Sequence, residues 1–235
     1  MKSALMLFGL AFGTVSVGNL SAAVLSQYTF PLPVAAGETG AAYNSMTTAG
    51  GVVASAVTDA GANIVMNTEL GAYATPFLKL KPTNAGAPVT TAAASLANNS
   101  YATFTLSTAG TFNLSSFTFD ASRGGASLTR GFVIQSSIGG FGSGGAILLQ
   151  VDSIPTQQGA GGPTANFTPY SIDLSAASFQ GLTNVEFRIY AFSDGTGASV
   201  DFDNLTLNGT VPEPAALLLG GMGLGAACVR RFRRR

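Results

Sequence analysis

The chain has 235 residues, 46% of them hydrophobic and 9% charged, with 30 Gly, one Cys, no Trp and no His. The absence of His excludes a Ser-His-Asp triad, a histidine general acid or base and nearly every protein zinc site. Eleven Lys and Arg balance eleven Asp and Glu, but their layout is uneven and divides the chain in three.

Residues 1–23 read as a secretory signal peptide. Lys2 is the positive n-region, residues 4–17 form an apolar stretch, and Ser21-Ala22-Ala23 supplies small residues at the −3 and −1 positions. Cleavage is expected before Val24. Gly18-Asn19 ends the apolar run too early for a membrane span. Residues 24–210 then carry five basic residues (Lys79, Lys81, Arg123, Arg130 and Arg188) against ten acidic ones, a net of −5. No basic stripe is available, so nucleic acid is not expected as a partner. The single Cys228 lies further on, in a C-terminal hydrophobic run, so this region holds no disulfide. A core of this size stands without one.

The middle region punctuates like an all-β protein, with Gly, Asn, Ser and Pro clusters between short runs rich in Phe, Val, Ile, Thr and Tyr. Candidate strands cover 27–32, 52–57, 63–67, 77–80, 101–107, 111–120, 131–136, 146–151, 171–174, 185–192 and 199–208. Val185, Phe187 and Ile189 alternate with Glu186, Arg188 and Tyr190, the pattern of a half-buried strand. Phe112 and Leu114 lie on the opposite phase to Phe117 and Phe119, which calls for a bulge near Ser115-Ser116. Short helical turns fit 92–96 and 175–179. The Gly-rich stretches 139–145 and 159–162 are expected to be mobile loops. Together these elements imply a single two-sheet β-sandwich, jelly-roll-like, over residues 24–210.

Candidate chemistry is sparse. Gly140-x-Gly142-x-x-Gly145 matches the spacing of a dinucleotide fingerprint but leads into an apolar run of strand character, so a hairpin loop is the expectation. Asp201 and Asp203 stand two apart on one strand, roughly 7 Å at Cα, a spacing that glycoside hydrolysis could use. No Trp lines a cleft beside them, and catalysis is not expected. Asp120, Asp201, Asp203 and Asn204 are hard oxygen donors near strand ends and form a candidate calcium site; the same residue types also cap turns. No other cofactor is expected. Glu186 and Arg188 share a strand face, where they either meet a ligand or solubilise the sheet. Tyr28, Tyr43, Tyr73, Tyr101, Tyr170 and Tyr190 are the polar-tipped aromatics available to stack on sugars or to fill the core.

The C-terminus has its own grammar. Val211-Pro212-Glu213-Pro214 precedes a 15-residue uncharged run over 215–229, and Arg230, Arg231, Arg233, Arg234 and Arg235 close the chain. A helix over that run spans ~22 Å, and starting it at Val211 with Arg230 snorkelling brings it near the ~30 Å of a bilayer core. The arginines would stay cytoplasmic and stop transfer. Pro212 and Pro214 hold the peptide before the helix extended, as a protease requires.

This tripartite tail, 211–235, resembles the PEP-CTERM sorting signal in all three parts and in their order. The resemblance implies recognition of the Val211-Pro212-Glu213-Pro214 motif by an exosortase, a membrane cysteine transpeptidase of Gram-negative bacteria. It implies transient membrane anchoring through the tail, then removal of the tail and delivery to the cell surface or extracellular matrix. The Leu-Pro-x-Thr-Gly motif of the sortase pathway is absent. The combined expectation is a non-enzymatic structural or adhesive component associated with exopolysaccharide. Its alternative is a carbohydrate-binding module with a specific sugar ligand and a structural calcium.

Overall fold

The computed structural model describes residues 22–30, 44, 47–69, 76–83, 88–123, 128–155, 167–195 and 198–212. The expected signal peptide up to residue 21, the 159–162 loop and the tail from Glu213 onward lie outside the described residues. Among the described residues, no helix is long and apolar enough to cross a membrane.

Among the described residues, twelve strands and one α-helix follow the order β1 (Ala23–Tyr28), β2 (Thr47–Thr48), β3 (Val52–Ala54), β4 (Thr58–Ala60), β5 (Ile64–Glu69), β6 (Phe77–Pro82), α1 (Ala92–Asn98), β7 (Tyr101–Arg123), β8 (Arg130–Ser136), β9 (Ile147–Val151), β10 (Thr168–Asp173), β11 (Leu182–Ser193) and β12 (Val200–Thr210). Every pairing among them is antiparallel. The architecture is a sandwich of two layers joined by one strand.

That strand is β7. Up to Phe112 it pairs with β11, β3 and β4; from Asn113 onward it pairs with β12 and β10. The first sheet therefore holds β12 at its centre, with β7 and β10 on one side and β1, β2, β6 and β5 on the other. The second runs β3 and β4, β7, β11, β8, β9. The candidate strands at 101–107 and 111–120 are thus one 23-residue strand. The expected bulge is present: Asn208 pairs with Ser116 and Gly209 with Leu114, so Ser115 is skipped. The skip turns Phe117 and Phe119 inward on the same side as Leu114, as their phase requires.

Between the sheets, Phe104, Phe117, Phe119, Phe132, Phe187 and Phe202 form a continuous aromatic core. Ring pairs lie 5.1–6.0 Å apart, most of them tilted or edge-on, the arrangement the ring quadrupole favours. Burying each ring contributes about 1.5–3 kcal/mol, so this set alone makes a large share of the driving force.

A second, smaller core lies on the outer face of the second sheet. α1 lays Ala92 and Leu96, with Val89, over Tyr101, Val133, Tyr190 and Phe192. Thr91 caps the helix by accepting from the Ala94 N–H, and Asn99 ends it in the left-handed conformation at φ 48°. β11 is consequently buried on both faces beyond Arg188. The rest of that outer face, around Thr105, Asn184 and Glu186, stays open or half-open.

Candidate functional site

The outer face of the first sheet gathers three of the four expected calcium ligands. Asp203 and Asp120 are direct partners across β12 and β7. Asn204 is the extra residue of a bulge, with φ 53°. Its backbone N–H donates to Asp203 Oδ1 at 2.7 Å and its side-chain amide to Asp120 Oδ2 at 2.9 Å. Here the carboxylates cap the bulge, the turn-capping role the residue types also allow. Asp201 sits two residues further along β12, in register with Lys79 and Ser122. It is 1% exposed, and Asp203 is 7% exposed. Among the described residues, no group of three or more His, Cys, Asp or Glu converges to hold a metal.

A shallow depression of ≈ 330 Å³ lies over this bulge, bordered by Thr118, Asp120, Pro169, Ser171, Asn204 and Thr206. Tyr170 and Phe119 also line it. The Tyr170 ring stacks on Phe119 at 5.5 Å and meets Phe132 edge-on. It is half-buried, packed against the core. Tyr28, Tyr101 and Tyr190 are buried, while Tyr43 and Tyr73 lie outside the described residues.

The second sheet carries a more elaborate arrangement. Arg188 projects outward from the middle of β11, and its guanidinium lies 4.0 Å from the Tyr101 ring centre and 3.7 Å from that of Phe141. Glu186, two residues earlier on the same face, accepts from Arg188 Nε at 2.7 Å through Oε1. The Thr103 hydroxyl is shared between that same oxygen, at 3.0 Å, and the Phe187 carbonyl. Burial alone would lower the Arg188 pKa, but the hydrogen bond to Glu186, its charge and the neighbouring Tyr190 hydroxyl raise it. Burial pushes the Tyr190 phenol up, and the neighbouring Arg188 opposes that. Arg188 is 17% exposed and Glu186 28%. These are not two solvated charges spaced along a sheet. They are one ion pair, clamped between aromatic rings and open on one edge.

Phe141 reaches Arg188 because the Gly-rich loop is held, which corrects the expectation that residues 139–145 are mobile. Gln135, fully buried on β8, donates through Nε2 to the carbonyls of Gly142 (2.9 Å) and Gly145 (3.1 Å). Its Oε1 accepts from the Gly142 N–H at 2.8 Å. A single 3-10 turn spans Gly142–Gly144, entered at φ 75° by Gly142. A Cβ on Gly145 would collide with the Gly140 backbone. The glycines serve close approach here, not freedom. The loop is the β8–β9 hairpin, as its spacing suggested.

Of the expected processing motif, Val211 packs half-buried against the core and Pro212 is exposed. Glu213, Pro214 and the tail arginines Arg230, Arg231, Arg233, Arg234 and Arg235 lie outside the described residues.

No protein-family model matches the chain, and no curated protein does. Among solved structures, it is similar to the CBM22-1 xylan-binding domain from Paenibacillus barcinonensis Xyn10C, at TM-score 0.38 and 8% identity over 81% of this chain and 97% of that one. A variant of the CBM29-2 carbohydrate-binding module gives TM-score 0.34 and 14% identity, over 80% and 92% of the two chains. The K2 cleaved adhesin domain of Lys-gingipain gives 0.36 and 11%, over 66% and 89%. Likeness at this level leaves function to be read from the residues of this chain.

Proposed function

We propose that this chain is an exported polysaccharide-binding protein, sent to the cell surface or matrix by its PEP-CTERM-like tail after processing by an exosortase. Its jelly-roll-like sandwich binds saccharide and does not catalyse. The observation that carries the binding reading is the Arg188–Glu186 pair, fixed between Tyr101 and Phe141 where α1 leaves the sheet face uncovered. Sugars are recognised by planar donors, carboxylate acceptors and ring faces held rigid before the ligand arrives, which spares the entropy of ordering them. This favours a binding module over a structural component without a specific ligand.

The sorting part rests on the sequence of residues 211–235, and the position of Val211 fits it. β12 ends at Thr210 and Val211 still touches the core, so the motif begins at the rim of the folded sandwich.

The test of binding is a screen of residues 22–212 against a glycan array and the host's exopolysaccharide, with calcium and with chelator. Saturable, selective binding lost in Arg188→Ala is expected. Absence of binding in both conditions would return the protein to a purely structural role. For sorting, Glu213→Ala is expected to leave the precursor uncleaved in the membrane fraction; normal processing of that variant would remove the exosortase assignment.

A further inference from the structure

We propose that the Arg188–Glu186 pair selects a neutral vicinal diol of its saccharide and rejects acidic sugars; this rests on the binding reading above. Three features of the site converge on that ligand.

The first is charge. Arg188 is the single outward-facing cation of the second sheet among the described residues, and Glu186 already holds its Nε. The pair is neutral as a unit. A uronate or sulfate approaching the guanidinium edge would meet the Glu186 carboxylate beside it, a like charge that is only 28% exposed. The region from residue 24 to 210, at −5, adds repulsion at longer range.

The second is the hydrogen-bond inventory. Glu186 Oε1 receives both Arg188 Nε and the Thr103 hydroxyl, so Oε2 is left to accept from a ligand. Arg188 is bonded to Glu186 through Nε alone, which leaves its Nη hydrogens to donate. An acceptor and a donor thus stand side by side in a partly exposed pair. Two adjacent hydroxyls match this: one donates to the carboxylate while the other accepts from the guanidinium. The carboxylate of a uronate has no hydrogen to give Oε2, so a uronate can use the pair only through its own hydroxyls, with its charge held close to Glu186.

The third is rigidity. Tyr101 and Phe141 hold the guanidinium, Thr103 fixes the carboxylate, and Gln135 fixes the loop that carries Phe141. The half-exposed Phe141 ring also offers an apolar edge to the C–H face of a sugar.

The experiment uses the full-length chain in a detergent without a sugar headgroup, titrated calorimetrically. The probes are neutral hexasaccharides of glucose, mannose and galactose, their O-methylated forms, and oligouronates of equal length. At least one neutral hexasaccharide is expected to bind, with its O-methylated form and the oligouronates at least ~10-fold weaker, the worth of one charge-assisted hydrogen bond. Glu186→Gln keeps the side-chain volume and removes the negative charge. It is expected to weaken the neutral sugar ~10-fold and to narrow or reverse the preference against the uronate. Arg188→Lys, which retains a cation but not the planar fork, is expected to weaken both. Oligouronates that bind as tightly as neutral sugars, through a site lost in Arg188→Lys, would overturn the diol selection and leave saccharide binding in place. Indifference to O-methylation would do the same. Binding untouched by Arg188→Lys, or no binding at all, would overturn the site itself.

Discussion

Replacing Gln135 with Leu separates the loop from the sheet while nearly conserving side-chain volume. The wild-type amide makes three hydrogen bonds to the 139–145 loop from a fully buried position. At ~0.5–1.5 kcal/mol each, their loss would total about 3 kcal/mol if the loop stayed in place. The loop is at the surface, so Gly142 and Gly145 can turn to water instead, and Leu recovers about 1 kcal/mol of apolar burial. The expected net destabilisation is about 2 kcal/mol, which for a domain of this size lowers the melting temperature by ~4–8 °C. Locally the effect is sharper. Hydrogen exchange at the Gly142 amide is expected to speed up by ~30-fold, since that amide loses its acceptor and opens with the loop. Phe141 then leaves the Arg188 guanidinium, and saccharide affinity falls without any change to Arg188 or Glu186. Unchanged exchange at Gly142 together with an unchanged melting temperature would refute the idea that Gln135 holds the loop.

Two further outcomes follow from packing and protonation. Burial raises the Tyr28 phenol to about 12, partly offset by a hydrogen bond with Ser26. The neutral phenol is thus retained in the fold above the pH at which the unfolded chain ionises, near ~10. Its contribution is complete below pH ~10 and is lost as pH rises from there to about 12, by about 3 kcal/mol in all. Urea midpoints measured from pH 8 upward should fall over that window, and less steeply in Tyr28→Phe; equal slopes would contradict the assignment. Tyr170 and Tyr190, also raised by burial, leave a residual slope in the variant. Among the glycines, Gly131→Ala drives a Cβ into the Val151 carbonyl and the Phe192 ring and should destabilise by at least ~2 kcal/mol. Gly144→Ala meets nothing within 4 Å and should be neutral or stabilising by ~0.4–1 kcal/mol. Calorimetric melting of the two variants checks both, and a reversed order would mean that the loop packs differently.

The strands were legible where one face is apolar and the other polar. Val185, Phe187 and Ile189 announce β11, and the phase flip between Leu114 and Phe117 announces the Ser115 bulge, because a pleated strand must keep its apolar side chains on one face. The continuity of β7 was not legible. Ala109-Gly110 reads locally as a turn, yet there the strand only crosses between sheets, exposed on both sides. The outer core under α1 was also hidden. Its one trace is that Tyr190 and Phe192 continue the phase of Glu186 and Arg188, an apolar end to a polar face, and a seven-residue helix has too little period to say what it covers.

The candidate site divides along the same line. That Glu186 and Arg188 share a face follows from their spacing, and so does their ability to pair. What converts them from solvated charges into a clamped pair comes from elsewhere in the chain: Tyr101 from the start of β7, Phe141 from a hairpin, and Gln135 from the neighbouring strand. Gly-rich composition was misleading for a physical reason. Glycine lowers the barrier to motion only where nothing else constrains the backbone; with a buried amide beneath it, the missing Cβ lets the loop close tightly. The fold brings Asp120, Asp203 and Asn204 together, and there Asn204 donates to both carboxylates around a bulge. In both places composition named the right residues. What the fold adds is which hydrogen-bonding capacity is used: Asn204 donates to both Asp203 and Asp120, while at the Glu186–Arg188 pair Oε1 and Nε are engaged with each other.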